Sequence, residues 1–129
     1  MATLIDTSVW VRHFRNPSRN VARVLEDLAW SGEAAICGQI WVEFVGGYKM
    51  TARRNAIEKH LDDFLWIDTP PASYRLAAEW LATHQEIGSG DAIIAASAYL
   101  AGASLLTLDK GFASLAKEGL LLHAIPTDV

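Results

Sequence analysis

Four acidic side chains in this sequence are candidates for chemistry: Asp6, Glu43, Asp91 and Asp109. Asp6 and Asp109 each follow a short apolar run that predicts a buried β-strand. Ligands of open α/β sheets bind just beyond the carboxyl ends of such strands, where a carboxylate can hold a cation or exchange a proton. A single acid at a strand end can also be an ordinary solvated loop residue. The two aspartates therefore predict a ligand site only if the fold brings their strands together.

The other two acids each leave a structural interpretation open. Asp91 follows Gly-Ser-Gly at the start of a predicted helix, where unpaired N–H groups and the helix dipole favour an acid by roughly 0.3–1 kcal/mol. Glu43 has two apolar residues on either side. It lies on the exposed stripe of its helix, which is the simpler interpretation, or it is held inward for a purpose. Neither acid decides the function by itself.

The elements that would position these acids alternate along the chain. Predicted strands cover residues 2–5, 34–37, 64–67, 104–108 and 120–122. Predicted helices follow Ser18 and Thr51, include residues 40–45, 73–85 and 112–117, and begin at Asp91. Strands that are apolar throughout and alternate with helices indicate a parallel sheet covered on both faces. We therefore predict a three-layer α/β fold that forms a single domain over residues 1–129.

Composition narrows the class of protein. The only cysteine, Cys37, excludes an internal disulfide and a cysteine-based zinc site. The apolar start of the chain is interrupted at Asp6, which argues against a signal peptide. The uncharged stretch 92–108 is better explained by a buried helix and a buried strand than by a membrane span. We expect a globular cytoplasmic protein.

The net charge of −4 argues at first sight against a nucleic-acid partner, but the charge is unevenly distributed. Residues 1–60 carry eight Lys and Arg against six acids, whereas residues 61–129 carry three against nine. This asymmetry permits a basic strip beside an acidic pocket.

The segments around the four acids form an ordered pattern. They are LIDTSVW at 4–10, IWVEF at 40–44, GDAIIAASA at 90–98 and LLTLDKGF at 105–112. In this order they resemble the PIN-domain family and, at this length, the VapC-type toxins of bacterial and archaeal toxin–antitoxin pairs. The resemblance covers nearly the whole chain. Its most specific parts are the aspartate after the first strand and the segment from 91 to 109.

The resemblance implies a fold and an activity. The family fold is a three-layer α/β/α sandwich with a five-stranded parallel sheet in the order 3-2-1-4-5, which would bring Asp6 beside Asp109. The family activity is that of a Mg²⁺-dependent endoribonuclease that cleaves RNA phosphodiesters with a metal-activated water. The implied catalytic acids are Asp6, Glu43, Asp91 and Asp109, of which Asp6, Asp91 and Asp109 would bind the metal. The implied supporting hydroxyls are those of Thr7, Ser8 and Thr107.

This chemistry needs oxygen ligands. Mg²⁺ keeps several waters and usually accepts one or two carboxylates directly, so the remaining acids would hold those waters. Mn²⁺ should substitute, because it also accepts oxygen ligands. Gly111 stands where many family members carry a further acid, which weakens the case for a second metal ion.

The resemblance also implies partners: an RNA substrate, an inhibitory antitoxin and a second copy of the chain. The homodimer would place two acidic pockets beside a shared groove. The candidate RNA-binding residues along the groove are Arg12, Arg15, Arg19 and Arg23. The candidate antitoxin contacts are the helix after Thr51 and the region of Trp10.

Two other functions are compatible with part of the pattern. A haloacid-dehalogenase-like phosphatase also has a catalytic aspartate after its first strand, but it would want a second aspartate where Ser8 stands. A binding module with the same fold would recognise RNA without cleaving it. Phosphate release from a small ester would favour the phosphatase, and RNA binding without cleavage would favour the module.

Overall fold

A computed structural model describes residues 1–125 of the chain. The elements follow one another in the order β1 Thr3–Ile5, α1 Thr7–Arg15, α2 Arg19–Trp30, β2 Ala34–Cys37, α3 Gly38–Val45, α4 Ala52–Asp62, β3 Leu65–Ile67, α5 Pro71–Thr83, α6 Ser89–Leu100, β4 Ser104–Leu106, a 3₁₀ helix Lys110–Glu118 and β5 Leu121–Leu122. The five strands are parallel and lie in the order β3-β2-β1-β4-β5. The predicted fold class and strand order are therefore confirmed.

The centre of the sheet carries the core. Strand β1 pairs with β2 on one side and with β4 on the other, and Leu4 lies between Ala35 and Leu105. These three side chains are fully buried. Because β1 and β4 are neighbours and parallel, the residues that follow them emerge at the same edge of the sheet. That edge carries Asp6 and Asp109.

The predicted covering of the sheet on both faces is incomplete at the two edge strands. On β3, Leu65 and Trp66 are each 49% exposed, and on β5, Leu121 is 50% exposed. An edge strand has a neighbour on one side only, and helices cover it less completely than they cover the centre of the sheet. Hydrophobic side chains therefore reach the surface at both edges.

Several predicted boundaries differ by one or two residues, two of them next to the acids, and one helix was missed. Strand β4 ends at Leu106 rather than at 108, because the N–H groups of Leu108 and Asp109 donate to the hydroxyls of Ser8 and Thr107 instead of continuing the ladder. Helix α6 begins at Ser89, two residues before the predicted start. Helix α1 was not predicted, although its buried face is that of Val9 and Trp10.

Helix α1 is held in place by an aromatic cluster. The Trp10 ring stacks on Phe64 with centroids 5.5 Å apart and on Phe44 at 6.2 Å. The Trp10 side chain is only 1% exposed. The Trp10 side chain belongs to the core, so an antitoxin contact in the region of Trp10 would be made by its neighbours on α1 and stays a prediction. The cluster anchors the helix that begins directly after Asp6.

Between residues 1 and 125, no helix combines the length and the apolar character needed to cross a bilayer. The uncharged stretch 92–108 divides into most of α6, a turn and β4, as the sequence predicts.

Candidate active site

Asp6 is a buried carboxylate held by two hydroxyls. It is the N-cap residue of α1, yet its side chain makes no capping hydrogen bond. Instead Oδ2 accepts hydrogen bonds from Ser8 Oγ at 2.7 Å and from Thr107 Oγ1 at 2.8 Å. Burial raises the pKa of Asp6 above its ordinary 3.8, although these hydrogen bonds act to lower it. The two hydrogen bonds thus fix the orientation of the carboxylate. Because the group is buried, its ionised form is unfavourable unless a cation lies nearby.

The two hydroxyls also connect Asp6 to the end of β4. Ser8 Oγ accepts the backbone N–H of Leu108 at 3.0 Å, and Thr107 Oγ1 accepts that of Asp109 at 3.0 Å. Each hydroxyl therefore donates to Asp6 and accepts from the loop that carries Asp109. The relative position of Asp6 and Asp109 is set by this network, which joins residues about a hundred positions apart in the chain.

Glu43 is exposed on α3 and is oriented from two sides. Its Oε1 accepts a hydrogen bond from Thr7 Oγ1 and its Oε2 accepts one from Gln39 Nε2, both at 2.8 Å. A Cβ atom at Gly90 would overlap Oε2 of Glu43. Glycine at this position therefore lets the first turn of α6 approach the Glu43 carboxylate.

Asp91 lies in that first turn of α6, and the other three acids affect its pKa. Its pKa is raised to about 6, first by burial and then by the negative charges of Asp6, Asp109 and Glu43. A helix N-terminus alone would favour the ionised form. The raised pKa indicates that the four acids share one electrostatic environment, in which their mutual repulsion is unrelieved.

Asp109 is exposed and has a structural role of its own. It is the N-cap of the 3₁₀ helix, and its Oδ1 accepts the backbone N–H of Gly111 at 2.8 Å. A Cβ at Gly111 would lie 3.2 Å from this oxygen and 3.3 Å from the carbonyl oxygen of Glu86. Glycine therefore gives room to the tight turn that Asp109 begins.

The donor set fits a hard divalent cation. Within residues 1–125, no three His, Cys, Asp or Glu side chains are arranged to hold a metal ion by themselves. The converging groups are nevertheless carboxylates and hydroxyls, and Mg²⁺ takes few carboxylates directly while the others hold its waters. A cation would also relieve the repulsion that raises the pKa of Asp91.

The four candidate RNA-binding arginines lie on α1 and α2. Arg12 and Arg15 have the helical spacing that puts them on the same face of α1 as Ser8. Arg12 is half-buried, and its Nε is enclosed without a hydrogen-bond partner among the described residues. Arg19 and Arg23 are exposed one turn apart on α2. No ion pair in the described part of the chain joins them to the four acids, and their role in RNA binding stays a prediction.

Sequence reasoning missed two residues of this site. Gln39 precedes Glu43 by four positions, the spacing at which helical side chains meet, so the signal was present. Gly90 precedes Asp91 and belongs to a segment of the family pattern, but the sequence predicts no contact for it. Its need to be glycine arises from the approach of α6 to α3, which local sequence does not reveal.

A sequence model described as the PIN domain matches residues 3–118. The chain belongs to the PIN-domain family. The matched range includes all four acids and the hydroxyls that hold Asp6. No curated protein sequence matches the chain.

Solved structures of toxin–antitoxin proteins share this fold over almost their full length. A chain of the VapBC2 complex of Rickettsia felis, bound to a promoter DNA fragment, matches with a TM-score of 0.80 and 21% identity, covering 98% of this chain and 100% of that one. A toxin–antitoxin complex from Klebsiella pneumoniae matches with a TM-score of 0.76 and 26% identity, covering 88% and 92%. VapC20 of Mycobacterium tuberculosis, described as a sarcin–ricin loop cleaving toxin, matches with a TM-score of 0.70 and 16% identity, covering 97% and 100%.

Proposed function

We propose that this PIN-domain protein is a Mg²⁺-dependent endoribonuclease and the toxin of a toxin–antitoxin pair. One observation carries the nuclease proposal: three other carboxylates help to raise the pKa of Asp91 at the edge of the sheet where α/β folds bind ligands. Functional sites are the usual place for such an unfavourable cluster. The toxin context rests on similarity to chains of VapBC complexes. RNA and an antitoxin would meet the protein in the cytoplasm, where Cys37 stays reduced.

In this proposal the residues of the site have different roles. Asp6, Asp91 and Asp109 hold Mg²⁺, or Mn²⁺ in its place, directly or through waters. Ser8 and Thr107 orient Asp6, while Thr7 orients Glu43, which accepts a proton from the attacking water or holds that water in place. The bound metal supplies Lewis acidity that lowers the pKa of water and neutralises charge on the phosphate.

The arginines of α1 would neutralise the RNA backbone. Since Arg12 and Arg15 share the helix face of Ser8, a strand of RNA entering the acid site would pass along them. Arg19 and Arg23 extend the positive charge onto α2. Basic side chains beside an acidic pocket attract the polyanion and leave the metal to receive the scissile phosphate.

The competing functions are separated by one assay. Purified protein is incubated with total RNA in Mg²⁺ or in EDTA, and we expect discrete fragments in Mg²⁺ alone. Binding without fragments would support the non-catalytic module, and release of phosphate from a small ester would support the phosphatase. Ser8 argues against the phosphatase, because a hydroxyl bonded to Asp6 occupies the place of its second acid.

We also propose that the protein is a homodimer formed through the face of α3, β3 and α5. Val42, Trp66 and Tyr74 are exposed there by 67%, 49% and 53% and line a groove of about 400 Å³. Aromatic side chains are enriched in protein–protein interfaces, and the unpaired edge of β3 offers backbone groups to a partner. Gln39 lines the same groove and bonds Glu43, so pairing here would bring two acidic pockets together.

The dimer face is tested with one substitution at each edge of the sheet. Trp66→Glu should raise the dimer dissociation constant by at least about 30-fold, the effect of losing an aromatic hot spot worth about 2 kcal/mol. Leu121→Glu is the matched control, because Leu121 is equally exposed on the opposite edge strand. Light scattering at high micromolar concentration measures the mass. A monomeric wild type would refute the dimer, and dissociation by Leu121→Glu alone would place it on the other edge.

For the antitoxin we propose the groove between α1 and α4. It has a volume of about 460 Å³, with Phe14 and Ile57 among its apolar lining and Arg53 and two histidines beside them. An amphipathic helix with apolar residues and an acid would suit this lining. From α1 the partner could extend toward the acid site and present an Arg or Lys to the carboxylates, which would inhibit cleavage.

The antitoxin groove is tested by co-expression with the product of the adjacent gene. Ala56 lines the groove and is exposed, so Ala56→Glu should weaken complex formation by about tenfold or more without changing RNA cleavage. Ala101→Glu, at an exposed alanine that follows α6 and lies in neither proposed interface, is the control. Undiminished co-purification of Ala56→Glu would exclude this groove.

A further inference from the structure

His84 is a buried histidine for which the proposed chemistry has no use. It ends α5, is 5% exposed, and its two ring nitrogens face carboxylates on opposite sides. Nδ1 lies 3.9 Å from Glu86 Oε1, and Nε2 lies 3.5 Å from Glu118 Oε1. The buried ring therefore lies between two acids, with one acid near each nitrogen.

The two acids belong to the two segments that carry Asp91 and Asp109. Glu86 lies in the loop that leads into α6, five residues before Asp91. Glu118 is the last residue of the 3₁₀ helix whose N-cap is Asp109. At the near end of that helix, the carbonyl oxygen of Glu86 lies close to Gly111. The loop thus contacts the 3₁₀ helix near its start through backbone and in its middle through the Ser114 hydroxyl, and His84 connects the loop to the end of the helix.

A 3₁₀ helix of nine residues needs support from outside. Runs longer than three or four residues are uncommon, because the hydrogen-bond geometry is poorer than in an α-helix. Phe112 and Leu115 anchor the middle of this helix in the core. The helix ends before Gly119, whose φ is 103°. At this end, among the described residues, the contact of Glu118 with His84 is the polar contact that attaches the helix to the rest of the fold.

We propose that His84 is a positioning residue that bridges Glu86 and Glu118 and so fixes the 3₁₀ helix, with Asp109 at its start, relative to Asp91. The consequence for metal binding rests on the proposed function. Ser114, in the middle of the 3₁₀ helix, acts on Glu86 more strongly than His84 does, and Lys117 acts on it as well, so the loop has other contacts with this helix. Lys117 is exposed, whereas the His84 ring is buried and also reaches Glu118 at the end of the helix.

The test compares three substitutions of similar size. His84→Gln removes the bridge, and Glu118→Gln removes the charge from one half-exposed partner if the first variant does not fold. Glu26→Gln is the control, because Glu26 is an exposed glutamate on α2, outside the elements that the bridge joins. For each protein, Mg²⁺ affinity is measured from the rise in melting temperature with metal, and the Asp91 carboxyl is titrated by carbon-13 NMR without metal.

We expect the two bridge variants to bind Mg²⁺ about tenfold more weakly, at the lower end of the losses seen for outer-shell partners of metal sites. The pKa of Asp91 should fall in both, since Asp109 is no longer held near it. If the bridge variants are less stable but keep the wild-type Asp91 titration and Mg²⁺ affinity, His84 stabilises the fold and does not position the site. If wild-type protein does not bind Mg²⁺, the proposed function fails, and the Asp91 titration still decides the positioning role.

Discussion

Asp6→Asn should abolish RNA cleavage while the protein stays folded. The substitution keeps the volume and an acceptor for Ser8 and Thr107, but it removes the charge that would attract Mg²⁺. Loss of a ligand from a preorganised metal site costs several kcal/mol of transition-state stabilisation, which corresponds to a fall in rate of roughly 10²–10⁴-fold.

The comparison is made on total RNA in Mg²⁺, with circular dichroism as the check of folding. Asp91→Asn and Asp109→Asn should act in the same way, and Asn at position 109 can still cap the 3₁₀ helix. Asp62→Asn, which changes an exposed aspartate at the end of α4, is the matched control. Undiminished cleavage by Asp6→Asn would end the metal-nuclease proposal.

A second large effect is expected on stability without substrate. The pKa of Asp91 is about 6 in the folded chain and 3.8 ordinarily, so between these values the folded state binds more protons than the unfolded state. The free energy of unfolding therefore falls as pH rises through this window, and the cost is complete above it. Allowing for solvent screening at this partly exposed group, the cost is about 1–2 kcal/mol.

Asp91→Asn removes this cost. In metal-free buffer we expect the variant to be more stable than wild type by about 1 kcal/mol near pH 8, after the loss of some helix-dipole stabilisation, with the advantage gone near pH 4. Urea unfolding at the two pH values measures both. An ordinary helix-capping role for Asp91 predicts a small loss instead, and Asp62→Asn should show no gain.

Added Mg²⁺ should relieve the same repulsion in wild type. With a dissociation constant on the order of 1 mM, about 10 mM metal stabilises by about 1.4 kcal/mol. For a domain of this size the melting temperature should rise by roughly 3–8 °C, and by much less in Asp6→Asn or Asp91→Asn. Ca²⁺ serves as the control for general screening of charge. If wild type and Asp6→Asn have the same melting temperature and the same rise with Mg²⁺, these acids form no common metal pocket.

Much of the fold was available from the residues themselves. Apolar runs and helical periodicity are local properties, so the strands ending near Asp6 and Asp109 and the helices between them could be located from neighbouring residues alone. Parallel pairing followed from strands without alternating polarity. The strand order was predicted from the family resemblance, because the residues of a strand do not determine by themselves which other strand pairs with it.

Tertiary structure decided how the acids are held. The sequence placed Thr107 and Asp6 about a hundred residues apart, and only the pairing of β1 with β4 brings the hydroxyl to 2.8 Å from the carboxylate. The close approach of Gly90 to Glu43 likewise depends on how α6 packs against α3. A repulsive cluster of charges depends on distances through space. The individual acids were therefore recognisable from the sequence, but the raised pKa of Asp91 became visible only once four separate segments met at one edge of the sheet.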